Sequence, residues 1–309
     1  MRKCAFLTTD NLEGFVSDDE LAVEPLRELG WTVDAVSWRA HGREPGVDWD
    51  KYEAVVIRTT WDYHKDPQAF VETLEEIDSS RATLANPLEL VRWNLHKSYL
   101  RGLEMCGVRV VPTHWGRDLD YARLIALFDI LETDEIVIKP AIGASADDTF
   151  RVRRGSASEI AVEIETLFRE REYMAQPFIQ TVVDEGEYSL FYFGGEYSHT
   201  VLKTPKANDF RVQEEHGGEI RAVEVDSGLI ERGLGVIRLL DVEPLYARVD
   251  YVRDGRGELT GEERFAQFSQ FDQYALMELE LIEPALYFRN EPHSAARFAR
   301  AFDRWMRRR

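Results

Sequence analysis

The stretch VIKPAIGASADDT, residues 137–149, ends an apolar run in a lysine and continues into small residues. Gly143, Ala144, Ser145 and Ala146 would let backbone N–H groups approach an anion closely, and Lys139 adds a compact charge suited to phosphate. The Walker A spacing GxxxxGK[ST] is absent, and an ordinary strand followed by a flexible loop is the competing reading. A second group lies in LYARVDYV (245–252) and ALMELELIEP (275–284). Residues two apart share a strand face, so Arg248 faces with Asp250, and Glu278 with Glu280. Carboxylates on apolar strands are costly to bury unless a cation offsets them. Three carboxylates beside one arginine suit Mg²⁺ bridging nucleotide phosphates, with the arginine neutralising developing charge; a solvated face of ion pairs is the alternative. Third, LKTPKANDFRVQEEHGG (202–218) concentrates Lys203, Lys206 and Arg211 ahead of a glycine pair, in a chain with only seven lysines. A basic surface loop would look the same.

In their order, these segments resemble the ATP-grasp superfamily, most closely its glutathione-synthetase-like and ribosomal-protein-glutamate-ligase-like branch. The resemblance implies that Lys97 and Lys139 contact ATP phosphates and that the loop with Gly143 and Ser145 is a lid over them. It implies that Gln176, Pro177, Phe178 and Ile179 form the hinge whose backbone reads adenine, that Glu187 binds ribose, and that Lys203 lies in the nucleotide cleft. Arg211 and Arg248 would be catalytic, stabilising the transferring phosphoryl group and the tetrahedral intermediate, and Asp250, Glu278 and Glu280 would hold Mg²⁺. The superfamily usually has Asn where Glu280 stands, so this site would carry one more negative charge. The phrases RTTWDYHKDPQAF (58–70), NPLELVRWNLHKSYL (86–100), GEYSLFYFGGEYSH (186–199) and MELELIEPALYF (277–288) resemble the O-ureido-D-serine cyclo-ligase-like (D-cycloserine-ligase-like) sub-branch. Arg58, Asp62 and Tyr63 are then candidate substrate contacts, because strand ends of such an N-terminal sheet face the cleft. His64 is a further candidate for the acceptor pocket.

The implied activity is an ATP- and Mg²⁺-dependent ligase that activates a carboxylate as an acyl phosphate and joins it to an amine of a small amino acid or peptide, within or between molecules. The alternatives are a phosphotransferase on the same site or a nucleotide-binding regulatory protein without ligase activity. One or two metal ions, and Mn²⁺ in place of Mg²⁺, stay open. A zinc site is disfavoured, since the seven histidines form no HExxH. Neither Ser145 nor Ser189 has a recognisable triad partner.

These residues need elements to hold them. CAFLT (4–8), TVDAVSW (32–38) and AVVIRT (54–59) read as buried strands, separated by helical stretches at 18–30 and 67–80. The second helix starts at Pro67 and carries Phe70, Leu74 and Ile77 on one face. Such alternation predicts a doubly wound parallel sheet. Helices follow at 96–107, with Leu100, Leu103 and Cys106 inward, and at 119–131, 156–171, 229–241 and 291–306. Strands are expected at 108–115, 135–140, 172–179, 244–252 and 274–284, and a hairpin at 186–203 turned by Gly194-Gly195. The polar, aromatic stretch 254–273 reads as a hairpin tip or mobile loop, with Phe265, Phe268 and Phe271 spaced as a helical core stripe. The expected organisation is α/β and α+β, an ATP-grasp fold. It comprises an N-terminal α/β domain over 1–92, a lid subdomain over 93–180 and a catalytic subdomain over 181–309.

The chain has 309 residues, 44% of them hydrophobic, which excludes wholesale disorder. Its formal charge of −19 argues against duplex nucleic acid as the main partner but leaves room for a local basic pocket. Four of the seven lysines, Lys97, Lys139, Lys203 and Lys206, fall in the segments assigned to that pocket. Two distant cysteines, Cys4 and Cys106, read as buried thiols in a reducing cytoplasm. The start lacks a signal-peptide apolar region and no run approaches a membrane span, so a cytoplasmic protein without membrane partners is expected; a homo-oligomer, dimer or tetramer, stays open.

Overall fold

The computed structural model describes residues 2–40, 46–254 and 273–309. The stretch 255–272, with Phe265, Phe268 and Phe271, lies outside the described residues. Elements follow the chain in the order β1 (Arg2–Thr8), α1 (Val23–Glu28), β2 (Trp31–Ser37), β3 (Ala54–Thr59), α2 (Pro67–Asp78), β4 (Thr83–Ala85), α3 (Leu88–Leu95) and α4 (Tyr99–Met105). Then come β5 (His114–Gly116), α5 (Tyr121–Ile130), β6 (Glu135–Pro140), β7 (Phe150–Arg153), α6 (Ala157–Phe168), β8 (Tyr173–Pro177) and α7 (Thr181–Asp184). The chain closes with β9 (Glu187–Phe193), β10 (Glu196–Thr204), β11 (Glu219–Ala222), α8 (Ser227–Ile237), β12 (Tyr246–Arg253), β13 (Tyr274–Glu280) and α9 (Ser294–Met306).

Three sheets organise these elements. The first is parallel, in the order β2-β1-β3-β4. Every residue of β3 is buried, as expected of a strand covered on both faces. Asp66 caps α2 by accepting from the Ala69 N–H (3.2 Å), Pro67 opens the helix, and Phe70, Leu74 and Ile77 face the core as the periodicity predicts. The second sheet, β5-β8-β6-β7, and the third, β11-β10-β9-β12-β13, are antiparallel. Gly194 and Gly195 turn the β9–β10 hairpin with φ of 55° and 76°, the left-handed pair a two-residue turn demands.

The last helix, α9, packs between the first and third sheets, its Phe298 meeting both Phe6 of β1 and Phe193 of β9. Its Asp303 accepts from Trp31 Nε1 (3.1 Å) and Arg2 Nη2 (2.7 Å), and Phe302 meets the Trp31 ring edge-on at 4.8 Å.

Several local readings need correction. The expected 18–30 helix divides into a tight turn over Asp19–Ala22 and the short α1, because Pro25 is tolerated only within a first helical turn. The 108–115 strand reduces to β5. Its upstream half pairs briefly with β13, where Val111 N–H donates to the Leu276 carbonyl (3.1 Å) and Leu276 N–H to that of Arg109 (2.9 Å). One segment thus serves two sheets. Cys106 is exposed rather than inward, since it lies beyond the end of α4 where the helical face no longer applies; Cys4 is buried. The strands β4, β7 and β11, each of three or four residues, carry too little periodicity to have been expected. No helix among the described residues is long and apolar enough to cross a membrane.

Candidate active site

A single cleft is lined by the ends of all three sheets. On its floor, β12 and β13 pair in a register that sets Arg248 opposite Glu280 and Asp250 opposite Glu278. Period-two alternation then turns all four toward the cleft, and the four side chains interlock. Arg248 donates from Nε to Asp250 (3.0 Å) and from Nη2 to both Asp250 (2.9 Å) and Glu280; Lys97 donates to Glu278. Lys203, on the neighbouring β10, pairs with Glu187 and lies 3.5 Å from Asp250, whose other oxygen accepts from Ser189 (2.6 Å).

The strand that carries Glu278 and Glu280 is an edge strand, and side chains from the 86–99 segment cover that edge. Asn94 donates to the Leu279 carbonyl (2.8 Å) and accepts from the Leu281 N–H (2.9 Å), while Tyr99 Oη accepts from the Leu279 N–H (2.9 Å). Asn86 bridges to the Tyr246 and Leu281 carbonyls and the Leu245 N–H in the same way. Buried amides that complete a strand edge fix its register and its acids.

The electrostatics divide these groups. Burial alone would raise Asp250, but Arg248 and Lys203 outweigh it and hold the carboxyl at about 2. Burial also opposes ionisation of Glu278, and Lys97 and Lys139 together keep it low. For Glu280, burial prevails over Arg248, with Asp250 adding to the rise, and pushes it up to about 7. Glu187 is raised by burial against Lys203. Glu283, which the sequence reading did not single out, is raised well above its usual range by burial and then by the charge of Glu280. Lys139 is lowered by burial, and among the described residues no carboxylate pairs with its ammonium.

The small-residue loop spans the cleft as a roof. Ser145, Ala146 and Asp148 have φ of 52°, 54° and 55°, left-handed values that side chains this short tolerate at modest cost. Two contacts clasp it: His64 Nε2 lies 3.0 Å from Asp147 Oδ2, and His216 Nε2 donates to the Ser145 carbonyl (3.2 Å). Arg211 also lines the cleft, oriented by Asp209, which accepts from Arg211 Nε (3.1 Å) and Nη2 (3.0 Å). The glycine pair behind it has a steric reason. A Cβ on Gly218 would lie 2.1 Å from the Val212 carbonyl oxygen, and Gly217 has φ of 83°. Gln176, Pro177, Phe178 and Ile179 form one wall. Phe178 N–H is already spent on the Glu135 carbonyl (2.9 Å), and its ring carries the Arg151 guanidinium at 3.6 Å.

Lys97, Lys139, Gly143, Ser145, Gln176, Pro177, Phe178, Ile179, Glu187, Lys203, Arg211, Arg248, Asp250, Glu278 and Glu280 therefore share one cleft, with Tyr63 at its N-terminal side. Three candidates do not line it: Arg58, Asp62 and His64, whose ring instead reaches Asp147. Arg58 is buried and donates to Asp19 (3.0 Å) and to the Pro284 carbonyl (2.9 Å). Asp62 accepts from Trp38 Nε1 (2.7 Å) and Arg39 Nε (3.0 Å). Arg58 lies within β3 where its pairing with β1 shifts register, Asp62 lies on the turn after the strand, and both are directed into the scaffold. Trp61, between them, does line the cleft, as do Phe15 and Glu283. Glu283 follows the strand end, out of phase with Glu278 and Glu280, so alternation could not have found it.

The donor set suits a divalent cation, since Asp250, Glu278 and Glu280 offer hard oxygens. Among the described residues, no group of three or more acids, histidines or cysteines is gathered closely enough to hold an ion alone. Arg248 and Lys97 hold these carboxylates apart, and phosphate oxygens would be needed to complete a shell.

Residues 4–86 match the N-terminal domain of D-cycloserine synthetase DcsG, and residues 121–253 the ATP-grasp domain of prokaryotic glutathione synthetase. The chain is 30% identical over 298 residues to the cycloserine biosynthesis protein DcsG of Streptomyces lavendulae, covering 90% of each. The chain belongs to the D-cycloserine synthetase family of ATP-grasp ligases. The crystal structure of D-cycloserine synthetase DcsG superposes on this ligase with a TM-score of 0.80 at 26% identity, covering 98% of this chain and 99% of that one. An ATP-grasp RimK domain protein from Sphaerobacter thermophilus shares the fold, with a TM-score of 0.70 at 15% identity over 98% of this chain and 99% of that one. The ligase is thus an ATP-dependent enzyme with the ATP-grasp fold, its parallel N-terminal sheet followed by two antiparallel ones.

Proposed function

We propose that this ligase uses ATP to activate the carboxylate of a small amino acid or peptide as an acyl phosphate, which an amine then captures with release of ADP and phosphate. The observation that carries the reading is the convergence of Lys97, Lys139, Arg211 and Arg248 with the in-register acids Asp250, Glu278 and Glu280 in one roofed cleft. Phosphoryl transfer needs little covalent help from a protein; it needs positioned positive charge and exclusion of water.

In this reading Lys139, the cation with no carboxylate partner, meets a phosphate directly, and Lys97 does so while keeping Glu278 ionised. Arg211 and Arg248 neutralise charge on the transferring phosphoryl group and on the tetrahedral intermediate. Lys203 occupies part of the Glu187 carboxylate, leaving oxygen lone pairs for ribose hydroxyls. Asp250, Glu278 and Glu280 would hold Mg²⁺, which supplies Lewis-acid charge between phosphates. The 143–148 roof, clasped by His64 and His216, keeps water from an acyl phosphate.

The family resemblance to D-cycloserine synthetase supports a small amino-acid substrate and makes ring closure the first product to seek. An ADP-release screen over amino acids and dipeptides with Mg²⁺, read out by mass spectrometry, tests the reading. The expected result is ADP, phosphate and a ligated or cyclised product. A stable phosphorylated product would make the enzyme a phosphotransferase.

A further inference from the structure

Apart from the exposed Glu215, and among the described residues, the cleft leaves two titratable side chains without a protein partner, one basic and one acidic. Lys139 is one. The other is Glu283, 9% exposed, whose carboxylate makes no hydrogen bond or ion pair among the described residues. Its neighbours along the chain are held tightly. Trp61 Nε1 donates to the Glu283 carbonyl (2.9 Å) and Arg58 Nη2 to the Pro284 carbonyl (2.9 Å), so the N-terminal sheet grips the backbone on which this acid stands. Part of the wall beside it is apolar and aromatic: Phe15 packs against Trp61 with ring centroids 5.2 Å apart, with Tyr63 and Ala285 nearby, while Glu280, Lys97, Glu278 and Arg248 also act on it through their charge. A buried carboxylate is stable only with a cation or a proton donor, and every cation lining the cleft except Lys139 is already paired with another acid.

We propose that Glu283 receives the ammonium group of the amino-acid substrate, so that this ligase takes a free, N-unblocked amino acid, with Arg58 and Trp61 as positioning residues. The inference rests on the ligase reading above and specifies its substrate. Phosphate and ammonium then meet the two unpartnered side chains, and the aromatic wall beside Glu283 bounds the room for the substrate's side chain.

Isothermal titration in the presence of Mg²⁺ and a non-hydrolysable ATP analogue, with D- and L-serine and D- and L-alanine as probes, tests this without needing turnover. At least one free amino acid should bind, and its N-acetyl derivative should not. Glu283→Gln should weaken the free amino acid by about 20-fold or more, the scale for losing a buried charge-assisted pair, while the nucleotide analogue binds unchanged. Equal binding of the N-acetyl derivative overturns the proposal, as does an unchanged Glu283→Gln, or a variant that shifts only the Mg²⁺ requirement. ADP release confined to N-blocked acids would leave the ligase reading standing and Glu283 without this role. Free amino acids that bind without ADP release would do the reverse.

Discussion

Lys139→Ala separates the chemistry of the cleft from the stability of the fold. Removing most cations here would strand an acid: Lys97 holds Glu278, Lys203 holds Glu187 and Asp250, and Arg248 holds Asp250 and Glu280. Lys139 forms no ion pair among the described residues and only assists Lys97 at a distance in keeping Glu278 ionised, and burial already pushes its ammonium toward the neutral form. Its backbone pairs with Met174 across the β6–β8 ladder whatever the side chain. Deleting the side chain thus removes a poorly solvated charge without orphaning another, and stability should change by no more than about 1 kcal/mol. Turnover should fall steeply, because one preorganised donor to developing negative charge is worth about 10²–10³ in rate. Steady-state ADP release gives the second quantity and chemical denaturation the first. Near-normal kcat/KM would refute the phosphate assignment of Lys139, and a loss of several kcal/mol in stability would refute the claim that it is unpaired.

The converse is Lys203→Ala, which leaves the buried Glu187 without a countercharge and takes one of two from Asp250, and should cost about 3–5 kcal/mol in denaturation; a loss under 1 kcal/mol would show that the pair contributes little. Gly218→Ala should lower kcat/KM about 10- to 100-fold by forcing the Val212 backbone, and with it Arg211, out of place, and unchanged kinetics would disconnect that loop from catalysis. Asp303→Asn should cost about 1–3 kcal/mol near neutral pH, because Asp303 accepts from Trp31 and Arg2 while buried. Burial opposes its ionisation, but those two hydrogen bonds prevail and lower its pKa. Its stabilisation is therefore complete above the unfolded value of about 3.9 and is lost as pH falls through the lower folded value. The gap between variant and parent in pH-dependent denaturation should close on the acid side; a constant gap would contradict this account.

How much of this was legible beforehand follows from the range over which each signal acts. Alternation in LYARVDYV and ALMELEL determined that Arg248 faces with Asp250 and Glu278 with Glu280, since side-chain direction in a strand repeats every two residues. The Gly-Gly turn, the caps of α2 and the small-residue loop after Lys139 are equally local, and each stands where its residues require. Register across β12 and β13 is not local, so the sequence could offer the four residues as a set but not the Arg248–Glu280 and Asp250–Glu278 pairing. Tertiary structure alone decided that Arg58 and Asp62 serve the scaffold while Trp61 lines the cleft, because a register shift within β3 and the turn after it aim successive side chains by amounts no periodicity encodes. It alone decided that Asn86, Asn94 and Tyr99 seal the edge of β13 from about 180 residues away along the chain. Only the assembled charges, counted pair by pair among the described residues, leave Lys139 and Glu283 over beside the exposed Glu215. Residue types and spacing fix which chemistry is available; long-range packing fixes which of those groups remain free to perform it.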